Sequence, residues 1–435
     1  MLWIISYYRS CSGERNHMSK TIKIRLKKIS YSLLFLVILL FILNLVLDNT
    51  TLSQRQKTGD IPQEGTDGNE ETKITTILSN MSLDEKIGQL IIAGFSGTQE
   101  DARTKKLIQQ YSVGGFIFFS TNLDGPQQTV QLLNNLKKDN ENNPLPLFLS
   151  VDQEGGQVTR LPGGLINFPT NEKIGAMNDP DLSYEVGSIL GKELKEYGFN
   201  LDFAPVLDIN SNPSNPVIGD RSFGDNAPIV SELGIQTMKG IQSQGVISSI
   251  KHFPGHGDTA VDSHLELPIV NKSVQELEEL ELDPFKQAIN SGADLVMVAH
   301  ILLPKLDRDN PASLSKNVID LLRNKLHFDG AVITDDLTMK AITNNYGIGQ
   351  AAVQSVIAGS DILLIAHDYE MIVEAIDSLR NAVRSGEISE NRLDLSVRRI
   401  IELKQKYKLS DTQTGTADVN HLNQSIQSLK KKMSY

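Results

Sequence analysis

Short, continuous apolar runs separated by amphipathic stretches dominate the chain from residue 87 to residue 366. The runs are residues 87–95 (IGQLIIAGF), 114–119 (GGFIFF), 145–152 (LPLFLSVD), 199–208 (FNLDFAPVLD), 245–253 (GVISSIKHF), 293–300 (ADLVMVAH), 330–336 (GAVITDD) and 360–366 (SDILLIA). Apolar residues mostly follow one another in them instead of alternating, the pattern of strands covered on both faces. Between them, residues 179–197 set Leu182, Val186, Ile189, Leu190 and Leu194 at helical spacing, and residues 273–290 do the same with Val274, Leu277, Leu280 and Phe285. A last helix is predicted over 390–408, and the polar residues 411–435 read as a tail. Eight strand and helix units in about 340 residues predict a single α/β domain, a (β/α)₈ TIM-like barrel spanning residues 73–410. A dinucleotide-binding sheet would need G-x-G-x-x-G after its first strand, where AGFSGTQ stands.

The amino terminus follows a different pattern. Residues 31–47 read YSLLFLVILLFILNLVL, with only Ser32 and Asn44 strongly polar. As a helix this run is roughly 26 Å long, nearly the thickness of a bilayer core. The basic residues of the segment 1–30 precede it, which predicts a cytoplasmic amino terminus and a body outside the membrane. Small residues suited to a signal-peptide cut do not follow, and there is no cysteine there to carry a lipid, so an uncleaved signal anchor is preferred over a secreted product. Met18 opens a conventional basic run and is the expected initiator. Residues 48–72, rich in Thr, Gln, Asp, Glu and Gly, read as a flexible linker.

Charge sharpens this division. The net charge is −11, yet residues 1–30 hold seven Lys and Arg against Glu14, so the acidity belongs entirely to the remainder. Such a body repels nucleic acid, and no nucleic-acid partner is expected. Cys11 is the only cysteine, which excludes an intramolecular disulfide and a Cys-based metal site.

Candidate chemistry gathers after the predicted strands, where the active site of a barrel lies. Asp152, Glu154 and Arg160 follow the third run, Asp208 and then Arg221 the fourth, His300 the sixth, and Asp335 and Asp336 the seventh. The densest stretch is KHFPGHGDTAVDSH, residues 251–264, with Lys251, His252, His256, Asp258, Asp262 and His264. Asp262 and His264 are two residues apart, so in a loop the carboxylate can hold one imidazole nitrogen and leave the other for proton transfer. The competing readings are a metal site or a solvated loop. Pro254 and Gly255 exclude the helix that would bring His252 and His256 to one face, and no metal is expected. Asp335 is either a nucleophile held rigidly at a strand end or the cap of the next helix, a task Asp336 can also perform. Arg160, Arg221 and Lys251 either neutralise nearby carboxylates or bind substrate hydroxyl and acetamido groups.

With VDQEGGQVTR, FAPVLDI, IGDRSF, KHFPGHGDTAVDSH and ITDDLTM in this order, the chain resembles glycoside hydrolase family 3, and within it the β-N-acetylglucosaminidases (β-N-acetylhexosaminidases). The resemblance covers about residues 75–405, the whole predicted barrel. It implies a retaining hydrolase without cofactor in which Asp335 attacks the anomeric carbon. His264 protonates the leaving sugar and then deprotonates water, with Asp262 as its partner. Asp152, Arg160, Arg221, Lys251 and His252 match the positions that bind N-acetylglucosamine. The glycine-rich loop with Pro254 is expected to close over substrate. The expected partners are an N-acetylglucosamine-containing glycan or muropeptide, from peptidoglycan, and the membrane through residues 31–47. Alternatives are a phosphorylase that admits phosphate at the basic residues, and a non-catalytic, membrane-tethered glycan-binding module.

Overall fold

The computed structural model describes residues 67–433; the basic segment, the predicted span at 31–47 and most of the linker lie outside the described residues. Eight parallel strands follow in chain order: β1 (Ile91–Ala93), β2 (Gly115–Phe118), β3 (Phe148–Val151), β4 (Leu201–Asp202), β5 (Ile247–Phe253), β6 (Leu295–Val298), β7 (Ala331–Thr334) and β8 (Leu363–Ile365). Each pairs with its neighbours in sequence, and β1 also pairs with β8. A bridge between Ile333 and Ile362 joins β7 to the start of β8 and completes the barrel. Every strand is buried along its whole length, as the continuous apolar runs predicted. Close approach demands glycine at Gly115, where a Cβ would sit 2.3 Å from the Phe148 carbonyl oxygen.

Three predicted elements differ from the observed ones. The first apolar run is divided: Ser82 and Glu85 form a reciprocal capping box that starts the helix Leu83–Gln89, so only Ile91–Ala93 extend as strand. The run 199–208 yields a strand of two residues. Pro205 offers no N–H to the ladder, and the chain beyond it pairs with β5 through the Leu207 N–H to the Lys251 carbonyl, at 2.6 Å. The helix predicted over 273–290 breaks into Val274–Glu279 and Leu282–Asn290, because the ring of Pro284 conflicts with the carbonyl of Leu280 four residues before it.

The ends of the domain also carry more structure than their composition suggested. The helix Asp67–Asn80 begins inside the predicted linker. Residues 411–435, read as a tail, contain the helix Val419–Lys432, which packs on the helix Pro180–Tyr197 and buries Leu422, Ile426 and Leu429. Three apolar positions one turn apart are enough to seat a helix whose other residues are polar. Among the described residues no helix is long and apolar enough to cross a membrane.

At the amino-terminal ends of the strands the barrel is closed by one carboxylate. Asp361, fully buried just before β8, accepts hydrogen bonds from Arg323 (2.6 Å), Arg392 and Arg399 (both 3.2 Å), the Ser396 hydroxyl (2.8 Å) and the Val332 N–H (3.0 Å). Arg323 and the two arginines of the helix Glu390–Lys406 thus converge on one anion, which fixes that helix against β7.

Candidate active site

At the opposite end, a pocket of about 180 Å³ opens between the loops that follow the strands. Its lining includes Asp152, Arg160, Arg221, Lys251, His252, His264 and Asp335. Seven of the eight predicted site residues therefore meet in one cavity; the eighth, Asp262, reaches it through its hydrogen bond to His264.

Asp335 is presented at the end of β7, its N–H donating to the Val298 carbonyl of β6 at 2.9 Å. One of its oxygens accepts the Asp336 N–H at 2.8 Å. Burial alone would raise its pKa, but the charges of His300 and His252, the Asp336 N–H and His264 hold it down to about 2. A carboxylate so placed is ionised at neutral pH. The two readings of the Asp335–Asp336 pair now separate. Asp336 is the structural partner, its carboxylate accepting the Thr338 N–H (2.9 Å), the Ala366 N–H (2.9 Å) and the Thr338 hydroxyl (2.6 Å).

Beneath Asp335, His300 at the end of β6 is fully buried, and burial lowers its pKa. Its Nε2 donates to the Asp336 carbonyl (2.9 Å) and its Nδ1 lies 2.7 Å from the Ser313 hydroxyl.

A charged network walls the side formed by β3 to β5. Glu154, buried, receives Arg221 in fork geometry through Nε (2.9 Å) and Nη2 (2.7 Å). Lys251 reaches both Glu154 (2.7 Å) and Asp152 (2.6 Å). Burial opposes the charge on Glu154, yet Arg221 and Lys251 carry its pKa far below the usual carboxylate range. The converse holds for Lys251, where burial would lower the pKa and Asp152 and Glu154 raise it. Arg221 and Lys251 therefore neutralise carboxylates and also line the pocket. Arg160 differs: its buried Nε has no hydrogen-bond partner among the described residues.

His252 is held by Asp208, whose carboxylate accepts Nδ1–H at 2.6 Å and also the backbone N–H of His256 at 2.6 Å. That fixes the tautomer and leaves Nε2 as the free ring nitrogen. The loop beyond β5 is pinned where it can be: His256 spans the Thr259 and Ser263 hydroxyls at 2.9 and 3.0 Å, and Gly257 runs so close to Ile209 that a Cβ would lie 1.6 Å from its carbonyl oxygen. Burial brings the His256 pKa down to about 4. The tip of the loop is open. His264 has a side chain 64% exposed, and Asp262 accepts both its N–H and its ring Nδ1–H at 2.8 Å. With Nδ1 engaged by Asp262, Nε2 is the ring nitrogen left to exchange a proton.

Glu154 and Asp208 were visible as acidic residues after apolar runs, but their partners were not. Gln153 and Asp202 had no signal of that kind. The Gln153 side chain accepts the Arg160 N–H at 2.8 Å and so shapes the turn that carries Arg160, while the Gln153 backbone N–H donates to Asp202 at 3.0 Å. Asp202 sits within β4, and burial lifts its pKa well above the usual value, as it does for nearby Glu193.

Residues 82–403 match the family profile described as Glycosyl hydrolase family 3 N terminal domain. "Beta-hexosaminidase A" of Pseudoalteromonas piscicida is 34% identical over 354 residues, covering 76% of this chain and 59% of that protein. A "Beta-hexosaminidase" of Nitrosomonas eutropha is 35% identical over 326 residues, covering 73% of this chain and 91% of that protein. Among solved structures, a glycoside hydrolase family 3 beta-N-acetylglucosaminidase from Paenibacillus sp. str. FPU-7 superposes with a TM-score of 0.76 at 44% identity, over 81% of this chain and 69% of that one. A closed parallel barrel, an ionised aspartate at the end of β7 and a histidine loop over it thus stand in a chain that belongs to glycosyl hydrolase family 3, as a glycoside hydrolase of its beta-hexosaminidase branch.

Proposed function

We propose that the chain is a retaining β-N-acetylglucosaminidase that removes terminal N-acetyl-β-glucosaminyl residues by double displacement. The observation that carries this reading is the placement of Asp335 and His264 on one small pocket, the first ionised and shielded, the second exposed with its Nδ1 held by Asp262. Asp335 attacks the anomeric carbon as Nε2 of His264 gives its proton to the leaving oxygen. The Asp262 carboxylate keeps that nitrogen the outer one and favours the charged ring that forms when water is later deprotonated. Asp152, Arg160, Arg221, Lys251 and His252 bind the sugar, with Asp152 and Lys251 as paired acceptor and donor for its hydroxyls and the guanidinium of Arg160 for its acetamido oxygen. Residues 31–47 tether the enzyme with the barrel outside the membrane, where N-acetylglucosaminyl-N-acetylmuramic acid fragments of peptidoglycan are the substrate.

The test is release of nitrophenol by residues 67–435 from the N-acetyl-β-glucosaminide against the β-glucoside, with and without phosphate. Selective turnover that ignores phosphate is the expected result. Turnover that needs phosphate would replace the hydrolase with a phosphorylase, and binding without turnover would leave only a glycan-binding module.

A further inference from the structure

Asp262 and His264 sit on a loop tip, residues 260–267, that packs little of itself against the barrel. Ala260, His264, Leu265 and Glu266 are exposed, and Val261, Asp262 and Leu267 are half-buried. Ser263 is the exception, 2% exposed between two neighbours whose side chains are 30% and 64% exposed. Among the described residues, the hydrogen bonds that tie this tip to the rest of the domain both belong to Ser263. Its hydroxyl lies 3.0 Å from Nε2 of His256, and its carbonyl oxygen accepts the N–H of Ala341, 3.4 Å away in the helix Lys340–Thr343 that follows Asp335. The other bonds of the tip are internal: the N–H groups of Leu265 and Glu266 reach the Asp262 carbonyl, and the N–H and ring of His264 reach the Asp262 carboxylate. They shape the dyad without locating it.

His256 is a firm anchor for Ser263. It is buried, its N–H donates to Asp208 at 2.6 Å, and its carbonyl accepts the Asn215 side chain at 2.8 Å. The Thr259 hydroxyl donates to the same carbonyl (3.0 Å) and accepts Asn215 Nδ2–H (3.2 Å), so its contact with the His256 ring at 2.9 Å takes the Nδ1–H. Nε2 is then an acceptor, and the Ser263 hydroxyl donates to it. A chain of contacts thus runs from Asp208 through His256 and Ser263 to the dyad. Asp208 also holds His252, so one carboxylate sets the place of a histidine proposed for the sugar and of the histidine proposed for proton transfer. A tip with so few attachments opens at little cost once one is removed, and a catalytic group displaced by about 1 Å can lose about 10²-fold in rate.

Resting on the reading of His264 as the acid/base residue, we propose that Ser263 is the positioning residue of the dyad, its hydroxyl on His256 holding Nε2 of His264 at the leaving oxygen. Without that hydroxyl the Asp262–His264 pair stays whole but is no longer held in place. Proton transfer then suffers, while attack by Asp335 does not.

The test measures kcat/KM of the full chain on the phenyl and the 2,4-dinitrophenyl N-acetyl-β-glucosaminides. Phenolate needs a proton to leave, and dinitrophenolate does not. Ser263→Ala is expected to lower kcat/KM for the phenyl substrate about tenfold to a hundredfold and to leave the dinitrophenyl substrate within about twofold. His256→Asn, whose amide stands in for Nδ1 and keeps Thr259 but does not reach Ser263, should show the same split. His256→Gln, whose amide stands in for Nε2, should stay within about threefold of the wild type on the phenyl substrate. Equal losses on both substrates in Ser263→Ala would make the contact a general support of the fold, and no loss on either would make it idle; each overturns the proposal. So would a loss on the phenyl substrate as large in His256→Gln as in His256→Asn. His264→Ala must itself lose far more on the phenyl substrate than on the dinitrophenyl one; equal losses there would remove the acid/base reading, and the proposal with it.

Discussion

Asp335 and Asp361 lie at opposite ends of neighbouring strands of one barrel, and the same functional group is used for opposite purposes. Asp361 is fully buried, and three arginines, a hydroxyl and a backbone N–H occupy its oxygens. Nothing is left over for a ligand. Asp335 keeps one firm backbone donor, is ionised by distributed histidine charge and faces a cavity. What separates them is how many donors the surrounding chain commits to the carboxylate: a saturated anion holds the fold, and an undersaturated one is available to a substrate. The division follows the barrel itself, whose amino-terminal face carries stability and whose carboxyl-terminal face carries chemistry.

Substitutions at the two positions should therefore have inverse signatures. Asp335→Asn is expected to reduce kcat by on the order of 10⁴-fold or more while the melting temperature stays near that of the wild type. Steady-state kinetics beside a thermal scan checks this, and a variant with near-normal kcat would dissolve the contrast. Asp361→Asn should cost about 3–5 kcal/mol of stability, because three clustered arginines lose their common anion. The kcat of the fraction that remains folded should be unchanged, as read from urea unfolding and active-site titration.

A smaller effect sharpens the comparison at the pinned base of the active loop. His256 has a folded pKa of about 4 because burial disfavours its charged form. The unfolded chain binds the proton first, with a pKa near about 6.5, so stability falls as pH drops from there toward 4. The contribution to the slope is at most about 1.4 kcal/mol per pH unit. His256→Asn should flatten this part of the stability–pH curve measured by urea unfolding; an unchanged curve would place the acid sensitivity elsewhere.

The sequence by itself determined the barrel, because strands covered on both faces must be continuously apolar, and eight such runs are separated by stretches that can form crossover helices. It also marked seven of the lining residues: Asp152, Lys251, His252 and Asp335 stand at strand ends, where a barrel carries its chemistry, and Arg160, Arg221 and His264 lie in the motifs that resemble the family. Tertiary structure decided the rest. The short fourth strand, the broken helix at Pro284 and the docked helix Val419–Lys432 depend on one proline or three apolar side chains meeting a particular neighbour. The division of labour between Asp335 and Asp336, the pairing of Glu154 with Arg221 and Lys251, and the saturation of Asp361 are long-range as well. Local pattern records what a residue is and which way its element faces. Which donors reach a carboxylate from segments tens of residues distant is set only when the barrel closes.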